Sequence, residues 1–491
     1  MGPVKKFSNL PKAFYLFATL LISLSPAAPA AASQGVEIGK ILPWWASLPF
    51  LGILLSIALC PLLTPRFWHL HYGKVSAFWA LLFAVPFLFF FPQIAPHEIA
   101  HILLLDYIPF IILLWALFTI AGGIVITGSF SGTPMVNTLM LFIGTIMASW
   151  VGTTGAAMIM IRPVLRANKT RHNKVHTVCF FIFLVANIGG VLTPLGDPPL
   201  FLGFLHQVPF FWVTGAVAPE FLFTAALLLA LFFMLDSYYF LREKEREIIV
   251  ELEKEKEVFF RLEGGYNLIF LAGVVGMVVT SGCWDAGICT VSGMEFQWQN
   301  LARDAMIILL GLLSLATTPK QLRKANDFGW SPILEVAKLF IGIFITIIPL
   351  LAILKAGAGG PLSGLISLVK TPLHYYWISG TLSSFLDNAP TYLTFFNLAL
   401  GQHGLQEFMV PAALAANTPT ANPAFISVLK AISVGAVFMG ANTYIGNAPN
   451  FMVHSIAKEF GVKMPSFFGY VFKYSLPILI PVFIVVSLIF F

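Results

Sequence analysis

The sequence predicts an all-α polytopic membrane protein made of two inverted-topology repeats. Of the 491 residues, 58% are hydrophobic and only 10% are charged, and the mean hydropathy is +0.87. A soluble protein carries about 25% charged residues, and a bilayer-spanning helix needs about 20 apolar residues, a length that many runs here reach. Two such runs are interrupted at their centres by glycine and proline, and the two interruptions share one pattern. We therefore expect each repeat to contain three spans, a re-entrant hairpin, a broken helix and a final span.

The N-terminus resembles a secretory signal. Lys5 and Lys6 precede an apolar core, and a run of small residues ends before Ser33. We expect residues 1–33 to be a cleaved signal peptide or, as the alternative, an uncleaved first membrane segment. Either one places the following chain on the exported side. The mature N-terminus and, by counting spans, the C-terminus are then periplasmic in a bacterial inner-membrane protein.

The net positive charge of the chain indicates cytoplasmic loops rich in lysine and arginine rather than a nucleic-acid partner. The formal net charge is +6 and the isoelectric point is near 9.0, as expected when lysine and arginine stay in cytoplasmic loops. Four cysteines are too few for a disulfide framework. Cys283 and Cys289 share one short loop and could pair if that loop is periplasmic. The sequence has no nucleophile elbow, P-loop or HExxH pattern, which disfavours an enzyme or an ATP-driven pump.

The first repeat, residues 43–236, should begin with three spans at 43–63, 75–92 and 108–127. The stretch from Pro134 to Ile161 is too short to cross twice, yet one crossing would put the basic cluster that starts at Arg162 on the exported side. A hairpin that enters and leaves on the cytoplasmic side resolves both problems, with a polar, glycine-rich tip at Ser149–Gly155. A broken helix and a final span should follow, at 175–202 and 211–235.

A charged linker and a second repeat of the same plan come next. Residues 237–264 include many glutamates and lysines, with opposite charges three or four apart as on a solvated helix. We expect a cytoplasmic linker between the repeats there. The second repeat, 265–491, should contain three spans, a hairpin, a broken helix and a final span at 265–281, 303–317, 331–355, 373–400, 425–452 and 468–491. It starts inside whereas the first repeat starts outside, so the two repeats are inverted.

Both breaks and both hairpin tips occur twice. The first break, Thr193–Phe201, and the second break, Thr443–Phe451, keep Thr, an aliphatic residue, Gly, Asp or Asn, Pro and Phe at identical offsets. The first tip, Ser149–Gly155, matches the second tip, Ser384–Pro390, in its serine and in a polar residue four positions later. A broken helix exposes unpaired carbonyls and amides, which survive in a membrane only inside protein or beside a water-filled cavity. The four elements should therefore meet at one binding site.

Two carboxylates decide the expected substrate class. Asp197 lies in the first break and Asp387 in the second tip, and an ionisable group within a membrane is a functional hypothesis by default. Two carboxylates repel an anion and attract a cation, and a carboxylate that titrates near neutral pH binds either a cation or a proton. The alternatives are a helix cap for Asp197 and a surface-loop carboxylate for Asp387. We rank Asp387 first and Asp197 second.

At these tips and breaks the sequence resembles the ion transporter superfamily, over nearly all of the chain after the signal. That superfamily includes sodium:proton antiporters of the NhaD type, citrate–metal symporters, arsenite exporters and divalent anion:sodium symporters. The resemblance implies scaffold and transport regions, elevator-type movement and commonly a homodimer. Asp387 and Asn388 look like the Asp-Asn pair of the sodium:proton antiporter branch. Dicarboxylate symporters usually carry Ser-Asn-Thr at both tips, and Gly152-Thr153-Thr154 departs from that pattern.

The expected function is secondary active transport, in the form of Na⁺/H⁺ antiport by alternating access. Asp387, Asn388 and Asp197 would hold Na⁺ and the carboxylates would exchange it for a proton, with no cofactor besides the transported ions. Further oxygens or tip-orienting groups are expected from Thr193, Gly196, Ser149, Thr153, Thr154, Ser384, Thr443 and Asn447. The alternatives are a sodium- or proton-coupled citrate or dicarboxylate symporter and a non-transporting membrane scaffold. The partners are then a small cation and a proton, or a small carboxylate, within the lipid bilayer.

Overall fold

The fold is almost entirely helical. The computed structural model describes residues 38–128, 131–247, 261–291, 293–366, 368–416 and 418–491. The expected signal segment and the centre of the expected linker lie outside these ranges. Within them, ten helices are long and apolar enough to cross a membrane, and the strands form only two short pairs. The predicted all-α polytopic fold is confirmed, whereas the inversion of the repeats stays a prediction.

The first half contains three long helices, a helical hairpin, a broken helix and a further long helix. Its α-helices lie at Leu48–Leu63, Pro65–Phe90, Ala95–His101, Ile108–Ala121, Pro134–Val151, Thr153–Ala167, Val175–Leu184, Pro198–Leu205 and Phe210–Glu247. A π-helical turn at Ile102–Tyr107 joins two of them into one continuous rod, Ala95–Ala121. A 3₁₀ turn, Ile188–Leu192, precedes the first break.

The second half has the same order of long helices, hairpin and broken helix. Its α-helices lie at Asn267–Cys283, Trp298–Thr317, Lys320–Ala325, Ser331–Lys355, Ser363–Ile366, Pro372–Phe385, Asn388–His403, Val410–Leu414, Pro423–Met439, Ala448–Glu459, Phe467–Tyr470 and Ile480–Phe490. A 3₁₀ turn, Gly440–Asn442, precedes the second break, and a π-helical stretch, Val471–Leu479, lies within the last span.

The two hairpins begin with the same dipeptide. In Thr133-Pro134 and in Thr371-Pro372, the threonine hydroxyl accepts the backbone N–H three residues later, at 3.4 and 3.2 Å. Each proline occupies the first turn, where the missing N–H would have no helical partner in any case. The repetition of the hairpins therefore extends from their tips to their starts.

Several helices are longer than predicted. The second helix of the first hairpin ends at Ala167 rather than Ile161, and the last helix of the first half runs to Glu247, into the expected linker. Arginine, lysine and glutamate have a high helix propensity. Charged residues can therefore mark where a helix leaves the membrane without ending the helix. The first helix of this hairpin, Pro134–Val151, is also long enough to cross a bilayer by itself. The re-entrant course of the hairpin thus stays a prediction.

Four short strands were not expected from the sequence. Strand β1 (Val125–Thr127) pairs antiparallel with β2 (Arg261–Glu263), which ties the end of the third long helix to the start of the second half. Strands β3 (Ile288–Val291) and β4 (Met294–Gln297) form a hairpin. Cys283 precedes this hairpin and Cys289 lies within it, and both are free thiols rather than a disulfide.

The broken helices form the centre of the protein. In Val175–Leu192, 89% of the helix is buried inside the protein, against 28% for Pro65–Phe90. The helix that follows each break packs against the second hairpin helix of the other half: Pro198–Leu205 contacts Asn388–His403, and Ala448–Glu459 contacts Thr153–Ala167. The two halves are therefore interlocked at the breaks.

Candidate ion-binding site

The first tip and the first break are joined by side-chain hydroxyls. Ser149 donates to the carbonyl of Gly189, and Thr193 donates to the carbonyl of Ser149. The oxygen of Thr193 also accepts from the amide of Leu195 at 3.2 Å. These bonds satisfy carbonyls that the interrupted helices leave without partners, so they hold tip and break in one fixed arrangement.

The second tip and the second break repeat the same bonds. Ser384 donates to the carbonyl of Met439 at 3.0 Å, and Thr443 donates to the carbonyl of Ser384. The oxygen of Thr443 accepts from the amide of Ile445 at 3.2 Å. Each acceptor and donor occupies the position that matches its counterpart in the first half. The motifs that are repeated in the sequence thus form the same hydrogen bonds in both halves.

A glycine lets each break fold back on the preceding helix. A Cβ atom on Gly196 would lie 2.1 Å from the carbonyl oxygen of Gly190, and one on Gly446 would lie 2.5 Å from that of Gly440. No side chain fits at such distances, so these glycines are required by close backbone approach. Gly196, expected at the site, therefore shapes the break and carries no ligand atom.

Asp197 lies where all four elements meet, and it is 1% exposed. Its Oδ1 accepts from the hydroxyl of Thr153 in the first tip and from the amide of Asn447 in the second break, each at 2.9 Å. Its Oδ2 accepts from the amide of Asn388 in the second tip. Although Asp197 occupies an N-cap position, its side chain makes no capping bond. The cap alternative for Asp197 is wrong, because its carboxylate is turned toward the other elements.

The hydrogen bonds of Asp197 leave room for one further partner. A carboxylate offers about four acceptor positions, two on each oxygen. Three are occupied by Thr153, Asn388 and Asn447. The remaining position, on Oδ2, can take one cation or one proton, but not both.

The side chain that donates to Oδ2 also carries an unpaired oxygen. A carboxylate only accepts hydrogen bonds, so Nδ2 is the atom of Asn388 that faces Asp197, and its Oδ1 points elsewhere. Asn388 is fully buried, and this Oδ1 has no hydrogen-bond partner among the described residues. A buried acceptor without a donor is costly unless something positive binds it. The amide of Asn388 thus carries one donor, Nδ2, to the carboxylate and one unpaired oxygen, Oδ1.

Asp387 has the capping role that was considered for Asp197. Its carboxylate accepts from the amide of Ala389 at 3.1 Å, the first-turn bond of the helix that it begins. The residue is half-buried and lines the same cavity as Asp197. It is therefore not a surface-loop carboxylate, and it keeps oxygen atoms available to that cavity. Of the two carboxylates, Asp197 is bonded to the other elements of the junction, whereas Asp387 bonds to its own helix. The ranking of Asp387 before Asp197 stays a prediction.

The remaining predicted residues divide into two groups. Thr153, Thr154 and Asn447 line the cavity, and two of them contact Asp197 directly. The hydroxyls of Ser149, Thr193, Ser384 and Thr443 are occupied by the backbone bonds described above, so they orient the tips and breaks.

Two asparagines at the junction escaped the sequence analysis. Asn187 donates at 2.7 Å to the side-chain oxygen of Asn450, which joins the two broken helices directly. Asn450 in turn donates to the carbonyls of Gly440 and Thr443, at 2.9 and 2.8 Å. Both side chains are fully buried. The available signal was an amide within an apolar run for Asn187 and a place within the second break for Asn450, but neither residue recurs in the other half.

Four helices begin at this junction. They are the second helix of each hairpin and the helix that follows each break, starting at Thr153, Asn388, Pro198 and Ala448. The N-terminus of a helix carries a partial positive charge that stabilises an anion. The four helix ends therefore direct partial positive charge toward the carboxylates between them.

The cavity beside the junction separates it from two long helices. The tips and breaks form one wall, and the facing helices, Ile108–Ala121 and Ser331–Lys355, form the other. Among the described residues, those that line the cavity include Asp197 and Asp387 and no lysine, arginine or histidine. The site is thus a negatively charged chamber between two structural units.

A polytopic helical fold with two broken helices meeting at a buried carboxylate is the architecture of a secondary transporter. Residues 39–491 match the model of a family described as "Putative citrate transport". The match covers nearly the whole chain, so the protein belongs to this family. No curated protein matches the sequence. Family and fold together indicate a multi-pass membrane transporter rather than an enzyme.

Proposed function

We propose that this transporter is a Na⁺/H⁺ antiporter of a bacterial inner membrane that works by alternating access. Asp197 is the acceptor that Na⁺ and the proton share, and Asn388 supplies a neutral oxygen to the cation. Asp387 contributes a second carboxylate to the same chamber. The single free acceptor position on Asp197 is the observation that carries this proposal.

The charge of the chamber supports a cation as substrate. Its described lining holds two carboxylates and no basic side chain. An organic tricarboxylate would meet like charges there without a neutralising lysine or arginine, and like charges at short range in a buried site are strongly unfavourable. A small monovalent cation meets carboxylate and amide oxygens, which are hard ligands suited to it.

Competition for one position provides the coupling. When Na⁺ occupies the free position of Oδ2, no acceptor remains for a proton on that carboxylate. Loss of Na⁺ leaves a buried charge, and protonation removes the desolvation cost of that charge. Each ion therefore replaces the other, and exchange needs no further energy source than the two gradients.

Proteoliposomes that contain a pH-sensitive dye test the proposal. Na⁺ added outside should raise the luminal pH, because protons leave as Na⁺ enters, without any organic acid. Asp197→Asn should abolish the signal. Asp285→Asn, which changes an exposed loop carboxylate, is the matched control and should behave like the unsubstituted protein. A luminal signal that requires citrate or a dicarboxylate would refute antiport.

Sodium- or proton-coupled citrate symport is the second candidate. The family description favours it, and so do the four helix N-termini at the junction, which stabilise anions. Symport predicts uptake of radiolabelled citrate that depends on an inward Na⁺ or proton gradient. Antiport predicts no citrate uptake above that of empty liposomes.

A further inference from the structure

A second cavity lies at the far end of the helix that starts next to Asp197. That helix, Pro198–Leu205, has eight residues and so is about 12 Å long. Leu205 and His206 line the second cavity, together with charged residues from other parts of the chain. The predicted topology places this end of the helix on the exported side, whereas the chamber beside Asp197 extends along the facing helices toward their predicted cytoplasmic ends at Phe118 and Ile333.

An aromatic ring separates the two cavities. Phe201 is 1% exposed and lines the chamber of Asp197. The guanidinium of Arg303, which lines the second cavity, lies over the Phe201 ring at 5.8 Å. The second cavity is thus an outer vestibule, divided from the ion site by one ring and the short helix that carries it.

Four charged side chains form a chain of ion pairs at the vestibule. Lys355 lies 2.6 Å from Oε1 of Glu407, and Oε2 of Glu407 lies 2.9 Å from Nδ1 of His206. Nε2 of His206 lies 3.5 Å from Oδ1 of Asp106. His206 and Asp106 are buried, whereas Lys355 and Glu407 are half-buried. We call these four residues the vestibule cluster.

The cluster connects two structural units. His206 directly follows the helix that begins at Asp197, and Glu407 follows the hairpin helix that begins at Asn388. Asp106 and Lys355 belong to the long helices Ala95–Ala121 and Ser331–Lys355, which carry none of the predicted ion ligands. A movement that separates these two units breaks the ion pairs.

We propose that the vestibule cluster is a latch that keeps this side of the ion site closed and opens when His206 loses its proton. The inference rests on the proposed antiport in one respect, namely that the ion site must become accessible from the vestibule during the cycle. It concerns the regulation of that access and not the choice of ion.

The charge balance of the cluster gives the direction of the switch. With His206 protonated, two positive and two negative charges alternate. With His206 neutral, Asp106 and Glu407 flank an uncharged ring and only Lys355 opposes them, so the cluster holds one excess negative charge. Other charged or titratable groups that face the vestibule are His101, Glu295, Arg303 and Asp304. None of them forms an ion pair with Asp106 or Glu407, so none takes the place of His206 between the two carboxylates.

The pKa values agree with this direction. Burial lowers the pKa of His206, but the charges of Glu407 and Asp106 outweigh it and raise the pKa above its ordinary value. Burial raises the pKa of Glu407, yet His206 and Lys355 together hold it well below its ordinary value. A group with a raised pKa stabilises the closed latch at low pH, and this stabilisation disappears as the pH rises through that pKa. Alkaline pH in the vestibule therefore opens the latch.

The test measures the latch without relying on transport. Spin labels are placed on two exposed positions, Trp284→Cys and Phe408→Cys, in the full chain with its native cysteines replaced by serine. Trp284 follows the helix Asn267–Cys283, which packs against Ala95–Ala121, and Phe408 is next to Glu407. The distance between the labels is measured in lipid nanodiscs at pH 6 and pH 8. An ordinary histidine becomes about fourfold more neutral over this range, and a raised pKa makes the change larger. The population with the longer distance should rise at least about fourfold.

His206→Asn keeps a polar side chain but cannot titrate, so it should show the longer distance equally at both pH values. His374→Asn, an exposed histidine of the second hairpin, is the control and should keep the normal response. An unchanged distance in the unsubstituted chain, or a normal response in His206→Asn, would overturn the latch. A normal latch response together with no Na⁺-driven proton flux would instead refute the antiport and leave the latch in place.

Discussion

Replacing Asp197 by asparagine should abolish sodium binding and leave the fold nearly intact. The carboxamide keeps one oxygen, which can still accept from Thr153 and Asn447 as Oδ1 does now. Its amino group replaces Oδ2 and faces the amide of Asn388. Asn388 can turn its side chain by half a rotation and present its unpaired Oδ1 to that amino group. Every bond to position 197 then survives in neutral form.

The magnitudes separate this variant from a truncation. Exchanging the three charge-assisted hydrogen bonds for neutral ones costs about 1 kcal/mol each, but removing the buried charge offsets most of that cost. Asp197→Asn should therefore lose no more than about 1 kcal/mol of unfolding free energy. Asp197→Ala removes the acceptor of three buried donors, at about 1–3 kcal/mol for each donor, and should lose at least about 3 kcal/mol. The two variants thus test charge and hydrogen bonding separately.

Thermal unfolding in detergent, with and without sodium, is the assay. Sodium at about one hundred times its dissociation constant should stabilise the unsubstituted protein by about 2.7 kcal/mol relative to choline. Asp197→Asn should unfold near the unsubstituted protein in choline and gain nothing from sodium. Sodium stabilisation that persists in Asp197→Asn would refute Asp197 as the shared acceptor. A collapse of Asp197→Asn to the stability of Asp197→Ala would refute the bonding pattern on which the estimate depends.

Two further substitutions test the interior of the fold. Gly196→Ala places a methyl group 2.1 Å from the carbonyl oxygen of Gly190 and should greatly reduce the yield of folded protein. Gly215→Ala is the control: a Cβ added at this helical glycine would meet no atom of the described residues within 4 Å, so the variant should be neutral or slightly stabilising. Equal yields of the two variants would contradict the close approach at Gly196. In the unsubstituted protein, Nζ of Lys430 lies 2.5 Å from Oε1 of the fully buried Glu220. Lys430→Met leaves this carboxylate without a counter-charge, so the free energy of unfolding, measured by thermal unfolding, should fall by about 3–5 kcal/mol. Adding Glu220→Gln should restore most of that loss, and no recovery would show that the ion pair is not its cause.

The tips and breaks could be predicted because the chain contains each of them twice. A proline and a glycine within one apolar run have several explanations, whereas the same residues at the same offsets in Thr193–Phe201 and Thr443–Phe451 have few. The repeated hydroxyl bonds of Ser149 and Ser384 show the physical basis of this repetition. Each break leaves the same carbonyls without helical partners, and each tip supplies the same donor.

The roles of the two aspartates could not be predicted in the same way. Both occupy N-cap positions, and a local pattern cannot tell which side chain will turn toward its own helix. The donors that hold Asp197 away from its helix come from Asn388 and Asn447, 191 and 250 residues further along the chain. No such donor from the described residues reaches Asp387, which caps its helix. Tertiary contacts decided between two positions that look alike in the sequence.

Residues without a counterpart in the other half were missed for a related reason. Asn187 and Asn450 bond to each other and join the two broken helices, but neither asparagine is repeated in the other half. The members of the vestibule cluster come from four separate parts of the chain, and each is a single charge with no repeated motif around it. Only the folded chain brings Asp106, His206, Lys355 and Glu407 together.

Proton release on sodium binding tests the central claim most directly. Purified protein in weakly buffered detergent solution is mixed with sodium chloride while a dye reports the pH, from about pH 5 to pH 8, with choline chloride as the blank. If Na⁺ and the proton share Asp197, sodium should release protons in the unsubstituted protein and in Asp285→Asn, and none in Asp197→Asn. Sodium binding without proton release at any pH, or equal release from Asp197→Asn, would contradict the shared acceptor.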